Sequence, residues 1–329
     1  MSDNKLCQFC GEEVKSVAVK CKHCGSVLSE SGNTAQFTRT NPETLIRQAL
    51  ADKFQITGAI GNGGMATVYK AVQLNLGRTV ALKVIHPNLV HDQEFVQRFL
   101  REAHISASLQ HPNIITIYDI GSVGDIHYMS MEFLEGNDLH HYLRSSQKLG
   151  IDKIVGWIIP IAEALDYIHN RGLLHRDVKS ANIFITNEGR PVLMDFGIAQ
   201  ASNGTKLTQS GSILGTPEYM SPEQANGKAL NAQSDLWSLG VVLYDCLSGR
   251  VPFKGDNPLT TIHLVVTQNP PNLKSLNNLV PAWLAAVVMK LLEKDPSRRF
   301  KSGKEVAHAL RQKKAPSTSF YNTQVTPDN

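Results

Sequence analysis

Residues His175-Arg176-Asp177-Val178-Lys179-Ser180-Ala181-Asn182, followed by Asp195-Phe196-Gly197, constrain this chain more than any other stretch. They set out an acid able to receive a hydroxyl proton, a cation to meet a phosphate, and two oxygen ligands suited to Mg²⁺. Phosphoryl transfer needs that set, because its loose transition state is stabilised by positioning and by cancelling charge on the phosphoryl oxygens. Any fold that uses these residues must bring them to one place.

Upstream, Ile60-Gly61-Asn62-Gly63-Gly64-Met65-Ala66-Thr67-Val68 lies between two strand-like runs. A glycine-rich β-turn lets backbone N–H groups approach phosphates without side-chain obstruction. Alone the pattern is weak, since an ordinary hairpin explains it equally well. Val80-Ala81-Leu82-Lys83 on the next strand gives it force. Short β-branched runs fill residues 54–86, residues 93–109 have a helical period, and most of the chain beyond Gly136 reads helical.

With these motifs in register, the chain resembles a eukaryotic-type (Hanks-type) protein kinase. Its GGMA-type loop makes it most similar to the bacterial serine/threonine branch. The resemblance covers roughly residues 54–312 and implies an α+β, two-lobed fold. The β-rich N-lobe would span 54–134 with one regulatory helix, and the helical C-lobe 135–312.

The resemblance also implies roles. Gly61, Gly63, Gly64 and Ala66 would form the phosphate loop, with Ala66 standing in place of the motif's third glycine. Lys83 would grip the α- and β-phosphates of ATP and be held by Glu102. Asp177 would accept or orient the proton of the substrate hydroxyl, a role contributing about 10²–10⁴ in rate. Lys179 would lean on the γ-phosphate, and Asn182 and Asp195 would hold two Mg²⁺ ions. Ile60, Val68, Ala81 and Phe184 would sandwich the adenine. Met131 would guard the back pocket, and the Glu132 carbonyl and Leu134 N–H would bond the base edge. Asp138 is a candidate ribose contact. Ser106 stands where many kinases place a larger apolar residue.

The Asp-x-Lys order at 177–179, together with Thr216, points to Ser/Thr acceptors. Arg176 before Asp177 is the arrangement of kinases switched on by loop phosphorylation. A phosphate on Thr208 or Ser210 would add about −1.5 to −2 charges for Arg176 to bind. Glu223 and Arg299 resemble the ion pair anchoring a protein-substrate platform. Asp235 resembles a buried aspartate that bonds the catalytic-loop backbone.

Four of the five cysteines form a second signal: Cys7 and Cys10, then Cys21 and Cys24, each pair followed by glycine. Two C-x-x-C-G knuckles read as a zinc ribbon over residues 1–28, with four thiolates completing one structural Zn²⁺ tetrahedron. Residues 12–20 would be the hairpin between the knuckles. His23 reads as a solvated neighbour and Cys246 as core packing. A disulfide pair suits an oxidising compartment instead, and a redox-active dithiol is a further rival. Residues 29–53 read as a polar linker ending in a short helix from Asn41-Pro42, and 313–329 as a polar tail.

Composition restricts partners. A net charge of +4 over 329 residues does not mark a nucleic-acid or anionic-membrane binder. No apolar run approaches the roughly 20 residues that cross a bilayer, and the N-terminus lacks a hydrophobic signal core. The expected compartment is the cytoplasm and the expected partners are ATP and protein substrates, with self-association left open. The alternatives are a nucleotide-binding pseudokinase scaffold, a kinase gated by a redox-sensitive zinc site, and a small-molecule phosphotransferase. The last would not need Glu223 and Arg299.

Overall fold

The computed structural model describes residues 4–6, 13–15, 18, 42–63, 65–90, 92–145, 149–196 and 216–315. Residues 1–45 and 46–329 form two separate compact units. In the first, β1 (Asn4–Leu6) pairs antiparallel with β2 (Glu13–Lys15), Lys5 facing Val14. Val14 is buried while Glu13 and Lys15 are exposed, the period-two alternation of a half-buried strand. Of the hairpin expected over residues 12–20, only residues 13–15 and 18 are described, and Glu13–Lys15 pairs with the strand at Asn4–Leu6. Cys7, Cys10, Cys21 and Cys24 lie outside the described residues, as do 29–40 and 316–329.

Helix α1 (Pro42–Ala49) starts at its proline, which has no N–H to leave unsatisfied in the first turn. Ile46 and Leu50 are buried with Phe54, Tyr69, Leu82 and Tyr128. Leu45 of the same helix is exposed.

The N-lobe is a five-stranded antiparallel sheet, in the order β3-β4-β5-β7-β6. Its strands are β3 (Phe54–Asn62), β4 (Ala66–Gln73), β5 (Arg78–Ile85), β6 (Ile117–Val123) and β7 (Ile126–Glu132). Between β5 and β6 runs α2 (Gln93–Ala107), capped by Asp92, whose carboxylate accepts from the Phe95 N–H. Phe99 and Ala103 of α2 pack with Ile85 and Met129, fixing the helix against the sheet.

The C-lobe begins with β8 (Gly136–Asp138) and continues through α3 (Leu139–Arg144) and the long α4 (Ile151–His169). Strands β9 (Ile183–Thr186) and β10 (Pro191–Leu193) complete a small sheet in the order β10-β9-β8. Gly136 has φ +145°, and a Cβ there would collide with the Ile185 carbonyl, so only glycine lets the chain leave the inter-lobe hinge beside β9.

Among the described residues six α-helices follow, the first five being α5 (Pro222–Ala225), α6 (Ala232–Ser248), α7 (Pro258–Thr267), α8 (Leu273–Leu276) and α9 (Ala282–Leu291). The last, α10 (Gly303–Gln312), packs on α4 so closely that a Cβ on Gly303 would strike the Ala162 carbonyl. Helices α4 and α6 form the C-lobe core with Trp157, Ile158, Leu165, Trp237 and Leu243. A helix apolar on every side is one surrounded by protein. Among the described residues, no helix is long and apolar enough to cross a membrane.

Candidate active site

Strand alternation places Ala81 and Lys83 on one face of β5, opposite Met131 and Met129 of β7. That face looks into the cleft between the lobes. Lys83 Nζ donates to Asp195 Oδ1 at 2.8 Å and lies 3.7 Å from Glu102 Oε1 on α2. Three residues far apart in sequence thus meet at one ammonium. The Lys83 charge holds the Asp195 carboxyl below the usual carboxylate range. Burial pulls Lys83 down, but Asp195 and Glu102 together outweigh it and the net shift is upward. Glu102 goes the other way from Asp195. Burial, only partly offset by Lys83, pushes its carboxyl up to about 7. The distances explain the split, because the ammonium sits nearer Asp195 and serves Glu102 less.

The catalytic loop hangs on Asp235 of α6. Its buried carboxylate accepts from the N–H groups of His175 (2.9 Å) and Arg176 (2.8 Å) and from His169 Nε2 (2.7 Å). Arg176 has φ +69° and Asp195 φ +39°, a left-handed conformation that costs non-glycine residues and must be held by surroundings. His175 is fully buried, its Nε2–H donating to the Met194 carbonyl (2.9 Å) and its ring lying 4.8 Å from that of Phe196. Donation from Nε2 leaves Nδ1 as acceptor for the Asp177 N–H at 3.4 Å.

Asp177 Oδ2 then accepts from Lys179 Nζ (2.7 Å) and Asn182 Nδ2 (2.9 Å), and Asn182 Nδ2 also reaches the Asp177 carbonyl (2.8 Å). Acid, lysine and asparagine therefore form one cluster. Beside it Arg176, Asp177 and Thr216 line a pocket with Tyr219, Met220 and Gln224. Gln224 Nε2 donates to the Arg176 carbonyl (3.2 Å), which ties this segment to the loop. Thr208 and Ser210 lie outside the described residues.

Ala81, Met131, Val68, Phe184 and Leu134 share one apolar cluster with Val192 and Ile115. Ile60 is not part of it and stands exposed on β3. Gly61 pairs with Val68, and the Gly63 N–H donates to the Ala66 carbonyl (3.0 Å), closing the hairpin; Gly64 lies outside the described residues. Asp138 caps α3, accepting from the His141 N–H at 2.7 Å. Ser106 is buried. Arg299 grips Glu223 bidentately at 2.7 and 2.9 Å, both side chains buried.

The protein kinase domain family matches residues 54–312. This chain belongs to the protein kinases. The relatives it matches include bacterial serine/threonine kinases. Serine/threonine-protein kinase PrkC of Bacillus subtilis is 37% identical over 262 residues, spanning 80% of this chain and 40% of that protein. PknB of Mycolicibacterium smegmatis is 38% identical over 265 residues, spanning 79% of this chain and 42% of that protein. The chain thus spans about 40% of the length of the curated relatives it matches. Among solved structures, the Mycobacterium tuberculosis PknI kinase domain superimposes with a TM-score of 0.63 at 28% identity. That match covers 79% of this chain and 96% of that domain.

Two residues of this kinase site carry no motif and were missed in the sequence. His169 ends α4 and gives Asp235 its third donor; only its position six residues before His175 could have flagged it. Arg190, on the β9–β10 turn, donates to Glu132 Oε1 (2.6 Å) and to the Pro112 carbonyl (2.7 Å), clamping the hinge to the kinase C-lobe. A lone arginine after glycine in a turn gives no such signal.

Proposed function

We propose that the chain transfers the γ-phosphoryl group of ATP to serine and threonine hydroxyls of proteins, including its own activation loop. The observation that carries this is the convergence of Lys83, Glu102 and Asp195 on one ammonium, with Asp177, Lys179 and Asn182 joined beside it. In this reading Lys83 holds the α- and β-phosphates and Asp177 orients the acceptor hydroxyl. Lys179 meets the γ-phosphate. Gly61, Gly63, Gly64 and Ala66 cover the phosphates. Val68, Ala81, Met131, Phe184 and Leu134 enclose the base, with Ile60 over its edge and the Glu132 carbonyl and Leu134 N–H bonding it.

The donor set suits Mg²⁺, a hard cation that takes oxygen ligands. Asn182 turns its amide nitrogen to Asp177, and Asp195 engages Lys83 through Oδ1. Among the described residues, Asn182 Oδ1 and Asp195 Oδ2 have no hydrogen-bond partner, so these two oxygens would hold the metal. Two Mg²⁺ ions held there would supply positive charge that offsets repulsion among the phosphate oxygens. The protein's own part is to keep both oxygens aimed at the cleft.

Arg176 would receive a phosphate on Thr208 or Ser210, with Thr216 set against the catalytic loop. The kinase region is taken as 54–312 and the compartment as cytoplasmic. Cys7, Cys10, Cys21 and Cys24 would bind one structural Zn²⁺, the paired C-x-x-C-G spacing being the support. The ribbon would serve as a docking or regulatory module. The scaffold alternative gains nothing here, since Lys83, Glu102, Asp177, Asn182 and Asp195 are all present.

Incubation with labelled ATP and Mg²⁺, followed by phosphopeptide mapping, tests the proposal. Label on Thr208 or Ser210 supports it. A fully active protein unlabelled at both would overturn the loop assignment, and the absence of any transfer would promote the scaffold.

A further inference from the structure

Three side chains outside the site described above join across the glycine-rich hairpin. Asn62 ends β3 opposite Thr67 of β4, and the Thr67 hydroxyl donates to Asn62 Oδ1 at 3.1 Å. His86 directly follows β5, three residues beyond Lys83. Its Nε2 lies 3.2 Å from Thr67 Oγ1, and its backbone N–H donates to the Met65 carbonyl at 3.1 Å. A hydroxyl has one hydrogen to give. With that hydrogen on Asn62, Thr67 must accept from His86 Nε2–H. The bonds therefore run in one direction, from His86 through Thr67 to Asn62.

The backbone bond has a separate effect. It extends the β4–β5 ladder one step past the Ala66–Ile85 pair, to the tip of the hairpin. His86 thus holds the hairpin twice, by main chain at the tip and by side chain at the base. The need is physical. Glycines at 61 and 63 leave the turn with wide conformational freedom, and ordering it on nucleotide binding weakens affinity.

We propose that His86 is a positioning residue which, through Thr67 and Asn62, pins the glycine-rich hairpin to the strand carrying Lys83 and presets its height above the triphosphate. This rests on reading the hairpin as the phosphate cover. His86, Thr67 and Asn62 make no bond to Lys83, Asp177 or Asp195, so the relay acts on the loop alone.

The test uses the full chain and four variants: Thr67→Val, Thr67→Ser, His86→Leu and His86→Gln. Valine keeps the shape of threonine without the hydroxyl, serine keeps the hydroxyl, and glutamine keeps a donor near the Nε2 position. Amide hydrogen exchange over residues 60–67 of the nucleotide-free protein reads the relay without needing catalysis. Equilibrium affinity for a non-hydrolysable ATP analogue with Mg²⁺ reads its consequence. Thr67→Val and His86→Leu should each speed exchange and weaken affinity about 3- to 10-fold, the size of one net hydrogen bond. Thr67→Ser and His86→Gln should stay within about twofold of wild type in both measures. The double variant Thr67→Val/His86→Leu should be no worse than Thr67→Val alone, because losing the hydroxyl already breaks both bonds of the relay. Additive losses, equal harm from serine and valine, or unchanged exchange in both apolar variants would overturn the relay. Faster exchange with unchanged analogue affinity would overturn its role over the phosphates. A wild type that binds the analogue but transfers no phosphate would sink the functional reading and leave the relay standing.

Discussion

Asp235→Asn is the substitution from which most can be learned. The buried carboxylate satisfies three donors at once: the Arg176 N–H on Oδ1, and the His175 N–H and His169 Nε2–H on Oδ2. Asparagine retains one oxygen. Facing the pair formerly on Oδ2, it keeps two bonds and turns its amide nitrogen against the Arg176 N–H. The opposite orientation strands two donors and is worse. A bond to a charged acceptor contributes about 1.5–3 kcal/mol and a stranded buried donor costs about 1–3 kcal/mol, so with overlap we expect about 2–4 kcal/mol. Burial raises the Asp235 carboxyl, but His169 and the other neighbours outweigh it and the net shift is downward. Its stabilisation is therefore fully present above the ordinary carboxylate value and is lost as pH falls through the depressed one. Neutral pH is the right condition. Freed of its anchor, Arg176 has no reason to keep φ +69°, and Asp177 next to it moves. Misplacement of about 1 Å is enough to cost about 10²-fold in rate. Urea denaturation and phosphoryl-transfer kinetics on the same preparation decide the matter. We expect the stability loss above, kcat down at least about 10²-fold, and ATP affinity within about threefold. Stability within about 1 kcal/mol of wild type, with kcat unchanged, would refute the reasoning.

Arg299→Met should cost about 3–5 kcal/mol in chemical denaturation by leaving Glu223 charged, buried and unpaired; additivity with Glu223→Gln would show that the two do not act as a pair. For Glu102, pushed up to about 7 by burial, the two pH effects oppose each other. Its contribution to stability is fully present below the ordinary glutamate value and is lost as pH rises through about 7, because the folded state holds the proton longer. Activity needs the carboxylate that pairs with Lys83, so kcat/KM should fall as pH drops through about 7; a profile flat to well below that pH would contradict the assignment. Removal of Zn²⁺ by a chelator should unfold the segment spanning Cys7 to Cys24 and leave phosphoryl transfer by residues 54–312 in place. Metal analysis finding no zinc would end that proposal.

Much of the site was legible because phosphoryl transfer restricts residue types at fixed spacing. Lys83, Glu102, Asp177, Asn182 and Asp195 each sat in a motif, and the folded chain brings Lys83, Glu102 and Asp195 together across the cleft. The β-rich N-lobe and the helical C-lobe followed from a period near two giving way to a helical one. What escaped was set by tertiary contact. The pairing of β2 with β1 has no sequence signal because strands of three residues do not announce their partner. His169 and Arg190 bond through single atoms to residues 66 and 58 positions away, which no local pattern encodes. The histidine tautomers at 86 and 175 become readable only once acceptors are in place.

The most direct measurement is equilibrium binding of a non-hydrolysable ATP analogue, with and without Mg²⁺, to wild type, Lys83→Met and Asp195→Asn. If the two residues serve one triphosphate, Mg²⁺ tightens binding to wild type. Lys83→Met then weakens binding under both conditions, and Asp195→Asn removes the Mg²⁺-dependent part. Equal affinities in all three proteins, or an undiminished Mg²⁺ effect in Asp195→Asn, would contradict the shared site.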